Sequence, residues 1–358
     1  MARPLHIVTF AQSFDGGGVE RAMLRLAAGW LDRGAQVTLL LGDAAGPLAS
    51  ECDTRIALVP LGDRRYRTLL GAARDIARRA PDIVFVPGNH YSALGLAARG
   101  GTTAPIVGKL SNALSGVHRG LAGLGYAAWL RLHPRFLDHL VAMSPAMGAE
   151  AARAMRMPLS RISVIANPPA RSIADAPDVA LPPGRFVLGV GRLAPQKRWD
   201  RLVAAFARLP DPALSLVILG EGPERVAIEA HARALGIAAR VHLPGHAADP
   251  LPAMRRAALV ALTSDHEGVP GVIREALGEG TPVVSTDSSV AIAELLADPA
   301  AGTIVRREDS EGLVAALAAW LAPDARCPTP IRPTGDPASD YLALFERLTA
   351  SPRRGAQP

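Results

Sequence analysis

Ser264–Asp287 reads S-D-H-E-G-V-P-G-V-I-R-E-A-L-G-E-G-T-P-V-V-S-T-D, and the fold follows from how this string is parsed. The short apolar run Leu259–Thr263 precedes it as a strand, and Thr281–Thr286 completes it as another. Between the two strands the spacing predicts an acidic loop with Glu267, a helix carrying Glu275, and a glycine turn. Pro270 and Gly271 open the helix, because a proline's missing N–H would have no partner in a first turn. The amides of Gly271 and Val272 are then free to face a phosphate. Two carboxylates beside an anion site suit a ligand with hydroxyls as well as phosphate, and a nucleotide sugar carries both.

Working back toward the N-terminus, strand and helix patterns alternate, which implies parallel sheets covered on both faces. Leu5–Ala11 is a buried-type strand, and the glycine loop Gln12–Gly18 feeds a helix over Val19–Arg33. Gly16, Gly17 and Gly18 let the backbone approach an anionic ligand at that helix's amino end. Ligands on such sheets gather at the carboxyl ends of strands. Polar residues stand at three such ends: His90 in P-G-N-H-Y, then Ser111 with Asn112, then Ser144. His90 is read as a donor-sugar or acceptor contact, with His118 as its rival. A helix is expected near Thr68–Arg79, with Arg67, Arg74 and Arg78 on one face. The segment Gly116–Phe136, apolar with basic flanks, reads as a core helix or as one lying at a membrane interface.

Asn167, Pro168, Pro169 and the proline-rich run after them mark a linker. The expected organisation is a first domain over 1–170, a linker over 171–184, a second domain over 185–330, and a C-terminal helix and tail over 331–358. The second domain opens F-V-L-G-V-G-R-L-A-P-Q-K-R-W-D. Gly189, Gly191 and Ala194 spell a dinucleotide fingerprint, with Glu221 loosely at the acidic position. Pro195 and Lys197 crowd the turn where that motif needs a helix. A fork-shaped Arg192 and a point-charge Lys197 suit two phosphates instead and help a nucleoside diphosphate leave.

The 358 residues allow two domains, each with its own core. Cys52 and Cys327 fall in different halves and read as free thiols in a reducing compartment. The N-terminal apolar core is too short for a signal peptide, and no run reaches the ~18 apolar residues of a membrane span. A cytoplasmic protein is expected, with contact to the inner face of the cell membrane as an extension. Residues 1–170 carry 19 Lys and Arg against 11 Asp and Glu, so the first half is the basic one. That charge points to an anionic lipid surface or an acidic acceptor. Nucleic acid is excluded as a partner for want of a stacking platform or binding motif.

Glu267 and Glu275, eight positions apart and followed by A-L-G-E-G-T-P-V-V, resemble the signature of family 4 retaining glycosyltransferases. The string G-R-L with Lys197, the Gly-Gly-Val-Glu loop at Gly17 and the Asn-Pro junction are similar to further elements of that family. Arg198 stands where the family has glycine, and Ala257-Ala258 where it usually has Ala-Asp. The resemblance implies a GT-B fold: two Rossmann-like α/β domains whose parallel sheets face a cleft, with a C-terminal helix crossing back to the first domain. It implies Glu267 on the donor sugar's hydroxyls, Glu275 on the ribose, and Arg192 with Lys197 on the diphosphate. Gly17, Gly18, Gly271 and Val272 would contact the donor, and the loop of His246 would lie near the nucleobase. The implied reaction is a retaining transfer from a UDP- or GDP-sugar to a glycan, lipid-linked or small-molecule acceptor, without cofactor or metal. Rival readings are a nucleotide-sugar 2-epimerase on the same fold, a non-catalytic sugar-nucleotide-binding protein, and an NAD-dependent oxidoreductase.

Overall fold

A computed structural model describes residues 3–15, 17–114, 120–169, 177–323, 327–331 and 335–350. Gly16, His118 and Arg119 lie outside the described residues. The chain divides into two compact units, Met1–Pro168 with Gly335–Pro358, and Pro169–Thr334.

The first unit holds seven strands: β1 (His6–Ser13), β2 (Gln36–Asp43), β3 (Ala57–Pro60), β4 (Ile83–Val86), β5 (Ile106–Lys109), β6 (His139–Ala142) and β7 (Ile162–Val164). All pair in parallel in the order β3-β2-β1-β4-β5-β6-β7. The central strands are buried along their whole length; β4 is wholly apolar, while Lys109 ends β5 and His139 begins β6. The second unit holds β8 (Phe186–Val190), β9 (Ser215–Leu219), β10 (Val241–Gly245), β11 (Leu259–Leu262), β12 (Val283–Thr286) and β13 (Gly302–Val305). These are also parallel, in the order β10-β9-β8-β11-β12-β13. In each sheet the order reverses beside the first strand, between β1 and β4 and between β8 and β11. Such reversals open a crevice at the strands' carboxyl ends, where doubly wound sheets bind ligands.

The C-terminal helix Pro337–Ala350 belongs to the first unit, as the expected crossing back requires. Its Tyr341 and Phe345 are fully buried and meet Trp30 of helix Gly18–Asp32 edge-on, at centroid distances of 5.8 and 5.4 Å. Phe85 of β4 closes the cluster at 5.2 Å from Trp30. Edge-to-face pairs of this kind add ~0.5–1.5 kcal/mol each beyond their buried area. Gly29 makes the approach of the two helices feasible, since a β-carbon there would fall 2.6 Å from Ala338 Cβ.

The helix expected near Thr68–Arg79 is shorter, running Tyr66–Arg74, and a separate 3-10 turn covers Ile76–Arg79. Pro81 disfavours helical backbone at Ala80, which takes φ 45°, so the helix cannot continue into it. Arg67, Arg74 and Arg78 therefore do not share one helical face. Arg78 instead pairs with Asp75 at 3.5 Å, and neighbouring Arg64 pairs with Asp43 at 2.7 Å.

Candidate functional site

The β8/β11 reversal point gathers the second unit's site residues. After β8 the chain makes a 3-10 turn over Pro195–Lys197 before helix Trp199–Ala207 begins. Trp199, 2% exposed, is the anchor of this turn. Its Nε1 donates to the Arg192 carbonyl at 3.1 Å, and its ring lies where a β-carbon on Gly189 would come within 2.6 Å. Gly189 is thus a packing glycine under an indole. The dinucleotide reading fails on the same geometry: no helix starts at the fingerprint, and Glu221 is held by Arg225, whose Nε lies 3.0 Å from Glu221 Oε2.

The β8 turn delivers Lys197 to the loop after β11. Lys197 Nζ donates to Glu267 Oε1 at 2.6 Å, and Ser264 Oγ donates to the same oxygen at 2.6 Å. Both partners of the ion pair are largely buried, with side chains 19% and 12% exposed, so solvent screens the pair little. Thr263 Oγ1 stitches the two loops by donating to the carbonyls of Lys197 and Arg198 at 3.2 and 3.1 Å. The Asp265 amide donates to the Gln196 carbonyl at 2.9 Å, and the Glu267 amide to the Ser288 carbonyl at 2.9 Å.

Arg198, at the family's glycine position, adopts the left-handed conformation that a glycine would favour, with φ 51° and ψ 47°. Its guanidinium reaches Asp200 at 3.0 Å and Asp265 at 3.4 Å, while Arg201 meets Asp265 at 3.0 Å. The two pairs with Asp265 went unseen in the sequence because residues so far apart give no local signal.

Past Glu267, Pro270 caps helix Gly271–Gly278 with extended backbone and no side-chain cap. The Glu275 carboxylate returns toward the helix start, with Oε1 3.7 Å from the position of a β-carbon on Gly271. Arg192 is exposed at the exit of β8. The expected Arg192, Lys197, Glu267, Gly271, Val272 and Glu275 all follow β8 or β11, and the described contacts join Lys197 to Glu267 directly.

In the first unit, His90 sits on a 3-10 turn after β4, with its ring centroid 3.7 Å from that of Tyr91. Desolvation lowers the His90 pKa, and the Glu20 carboxylate opposes this. Ser111 is occupied by its neighbour, since its amide donates to Asn89 Oδ1 at 2.8 Å and its Oγ accepts from the Asn89 amide at 3.1 Å. Ser144 caps helix Pro145–Met155 by accepting from the Met147 amide at 3.3 Å. Both serines are accounted for structurally. Among the described residues no cluster of three or more His, Cys, Asp or Glu could hold a metal. None of the helices searched there is long and apolar enough to cross a membrane.

Two family models tile the chain: Glycosyltransferase Family 4 matches residues 16–168, and Glycosyl transferases group 1 matches residues 177–328. The chain belongs to the group 1 glycosyltransferases. The second model spans every site residue of the second unit, from Arg192 to Glu275. The group 1 chain is 34% identical over 144 residues to the lipopolysaccharide core biosynthesis glycosyltransferase LpsE of Rhizobium meliloti, covering 40% of this chain and 39% of that protein. Against the lipopolysaccharide core biosynthesis mannosyltransferase LpcC of Rhizobium leguminosarum it is 27% identical, covering 73% and 74%. The chain spans about two fifths or less of the length of the curated relatives it matches first. Its fold is that of Anabaena HepE, solved in complex with UDP and glucose, with a TM-score of 0.71, 22% identity, and coverage of 96% and 95%.

Proposed function

We propose that this chain transfers a sugar from a nucleotide-sugar donor, a UDP- or GDP-sugar, to a glycan or lipid-linked acceptor in bacterial polysaccharide assembly. The observation that carries this reading is the Lys197–Glu267 pair at the β8/β11 reversal, with the uncapped amino end of helix Gly271–Gly278 on the same loop. A crevice offering a cation, a carboxylate and free amides suits a ligand with both phosphate and hydroxyls. The names of LpsE and LpcC, and the UDP and glucose held by HepE, support the same ligand class.

In this reading Arg192, Lys197 and the amides of Gly271 and Val272 hold the diphosphate and stabilise it as it departs. Glu267 orients the sugar hydroxyls and Glu275 the ribose. Gly17, Gly18 and His90 serve the donor sugar or acceptor from the first unit. The configuration at the transferred carbon is retained: the bond to the diphosphate breaks, the acceptor oxygen bonds on the same face, and its proton leaves on the departing phosphate. The protein's own cations supply the charge compensation, and no metal ion takes part.

Thermal shift tests the donor site with UDP, GDP, ADP and their sugar conjugates, in EDTA and then with magnesium. At a hundredfold excess over the dissociation constant, binding stabilises by ~2.7 kcal/mol. One nucleotide family is expected to raise the melting temperature equally in both buffers, with the rise lost in Lys197→Ala and Glu275→Ala. A shift that needs magnesium would overturn the metal-free reading. Conversion of donor with no acceptor present would overturn the transfer.

We also place the chain peripherally on an anionic bilayer at the cytoplasmic face. Helix Gly120–Phe136 leaves Leu121 86% and Leu124 70% exposed, and Arg131 and Arg135 are exposed further along it. Apolar anchors with arginines nearby suit an interfacial helix.

A further inference from the structure

The first sheet has its own order reversal, between β1 and β4, and a single buried phenol joins the elements on its two sides. Tyr91 is fully buried on the 3-10 turn Asn89–Tyr91 that follows β4. Its Oη accepts from the Gln12 amide at 2.8 Å and donates to Glu20 Oε1 at 2.8 Å. Gln12 lies in β1 and Glu20 in the first turn of helix Gly18–Asp32, so both ends of the glycine loop are tied to the turn after β4. Gly88 shows how closely that turn approaches the helix: a β-carbon there would meet Val19 Cγ1 at 2.9 Å.

This arrangement occupies one oxygen of Glu20 and presents the other. Tyr91 has one proton to give, and since its oxygen already accepts from Gln12, that proton goes to Oε1. Glu20 Oε2 lies against the loop, 2.4 Å from where a β-carbon on Gly17 would fall. Gly17 has extended backbone, φ −150° and ψ 154°, which any residue adopts. Its missing side chain therefore makes room for the carboxylate and does nothing for the backbone. Among the described residues Glu20 has no ion pair, and its half-buried Oε2 accepts no hydrogen bond. On the same turn His90 is exposed, its ring 3.7 Å from that of Tyr91, and Tyr66 Oη donates to its carbonyl at 2.7 Å.

We propose that Glu20 binds a sugar hydroxyl through Oε2, beside His90, with Tyr91 as the positioning residue that fixes the carboxylate. An ionised carboxylate only accepts hydrogen bonds, so its ligand must donate. A sugar hydroxyl donates, and a fully ionised phosphate does not. The inference rests on the reading of the first unit as serving the donor sugar or the acceptor, and hydroxyls come from both.

Calorimetric titration of the full chain tests this with UDP, GDP, UDP-glucose, GDP-mannose, methyl α-glucoside and methyl α-mannoside. Glu20→Gln keeps the shape and an oxygen for Tyr91, but turns an NH2 group to the ligand. It should weaken a sugar-bearing probe about tenfold, the worth of one hydrogen bond to a charged group, and leave free UDP and GDP unchanged. Loss on a nucleotide sugar would identify the donor's hydroxyl, and loss on a methyl glycoside alone the acceptor's. Gly17→Ala, which displaces the carboxylate, and Tyr91→Phe, which releases it, should weaken the same probe and spare the free nucleotides. The proposal is overturned if no sugar-bearing probe loses affinity in Glu20→Gln, whether or not it binds the unaltered chain. It is equally overturned if UDP or GDP weakens as much as its sugar conjugate, as a merely structural role in the loop would require. Binding of free nucleotide to the unaltered chain reports on the donor reading separately; if that fails, the methyl glycosides still decide on Glu20.

Discussion

Arg198 holds a conformation that costs an L-residue about 1–2 kcal/mol, and its two aspartate partners offset that strain. Glycine at this position would relieve the backbone and remove a link between the Lys197 turn and the Glu267 loop. His139 shows a different use of a buried polar group. It is 7% exposed, its Nε2 lies 2.9 Å from Ser163 Oγ, and burial, with Arg161 and Arg347 nearby, pushes its pKa down to about 4. The unfolded chain binds a proton at His139 below about 6.5 that the folded chain refuses until about 4. Stability is therefore lost as pH falls through that window, by up to ~3 kcal/mol. Urea titrations at pH 7 and pH 4.5 should show most of this drop disappearing in His139→Gln; an equal drop in the variant would assign it to other groups. The sequence named Lys197 and Glu267 singly, because motif spacing carries residue types. Their contact depends on β8 lying beside β11, which is a property of strand order and leaves no mark in either motif.

The C-terminal helix supplies the sharpest test among the elements. Phe345→Ala removes a fully buried ring from the Trp30 cluster and should cost ~3–5 kcal/mol in chemical denaturation. Tyr341→Phe should be neutral or stabilising by contrast, since the buried Tyr341 hydroxyl has no hydrogen-bond partner among the described residues. A loss above 1 kcal/mol in Tyr341→Phe would mean that the hydroxyl is satisfied. Alternating apolar runs and glycine or proline punctuation were enough to place the strands and most helices. The helix after Arg65 was overextended, because an arginine-rich pattern stays compatible with helical spacing across Asp75, where the α-helix gives way to a 3-10 turn. The exposed leucines of helix Gly120–Phe136 were equally ambiguous, since apolar residues at helical spacing look the same facing a core or facing a lipid.

For the molecule as a whole, the basic first half and the exposed Leu121 and Leu124 predict sedimentation with vesicles containing anionic lipid. Binding should fall several-fold in Leu121→Ser with Leu124→Ser and weaken with salt; equal binding to neutral vesicles would remove the electrostatic part of this reading. The division of the chain carries a consequence of another kind. The first unit is interrupted after Pro168 and resumes at Gly335, so its last buried aromatics are synthesised only after the whole of the second unit. At about 5–20 residues per second the intervening stretch takes roughly 10–30 s to translate. For that interval Trp30 and Phe85 wait on the ribosome without Tyr341 and Phe345, while the second unit, encoded contiguously, emerges entire. The unit that begins first is completed only after the second has been made, and a stop codon placed before Tyr341 would leave it without its closing aromatics.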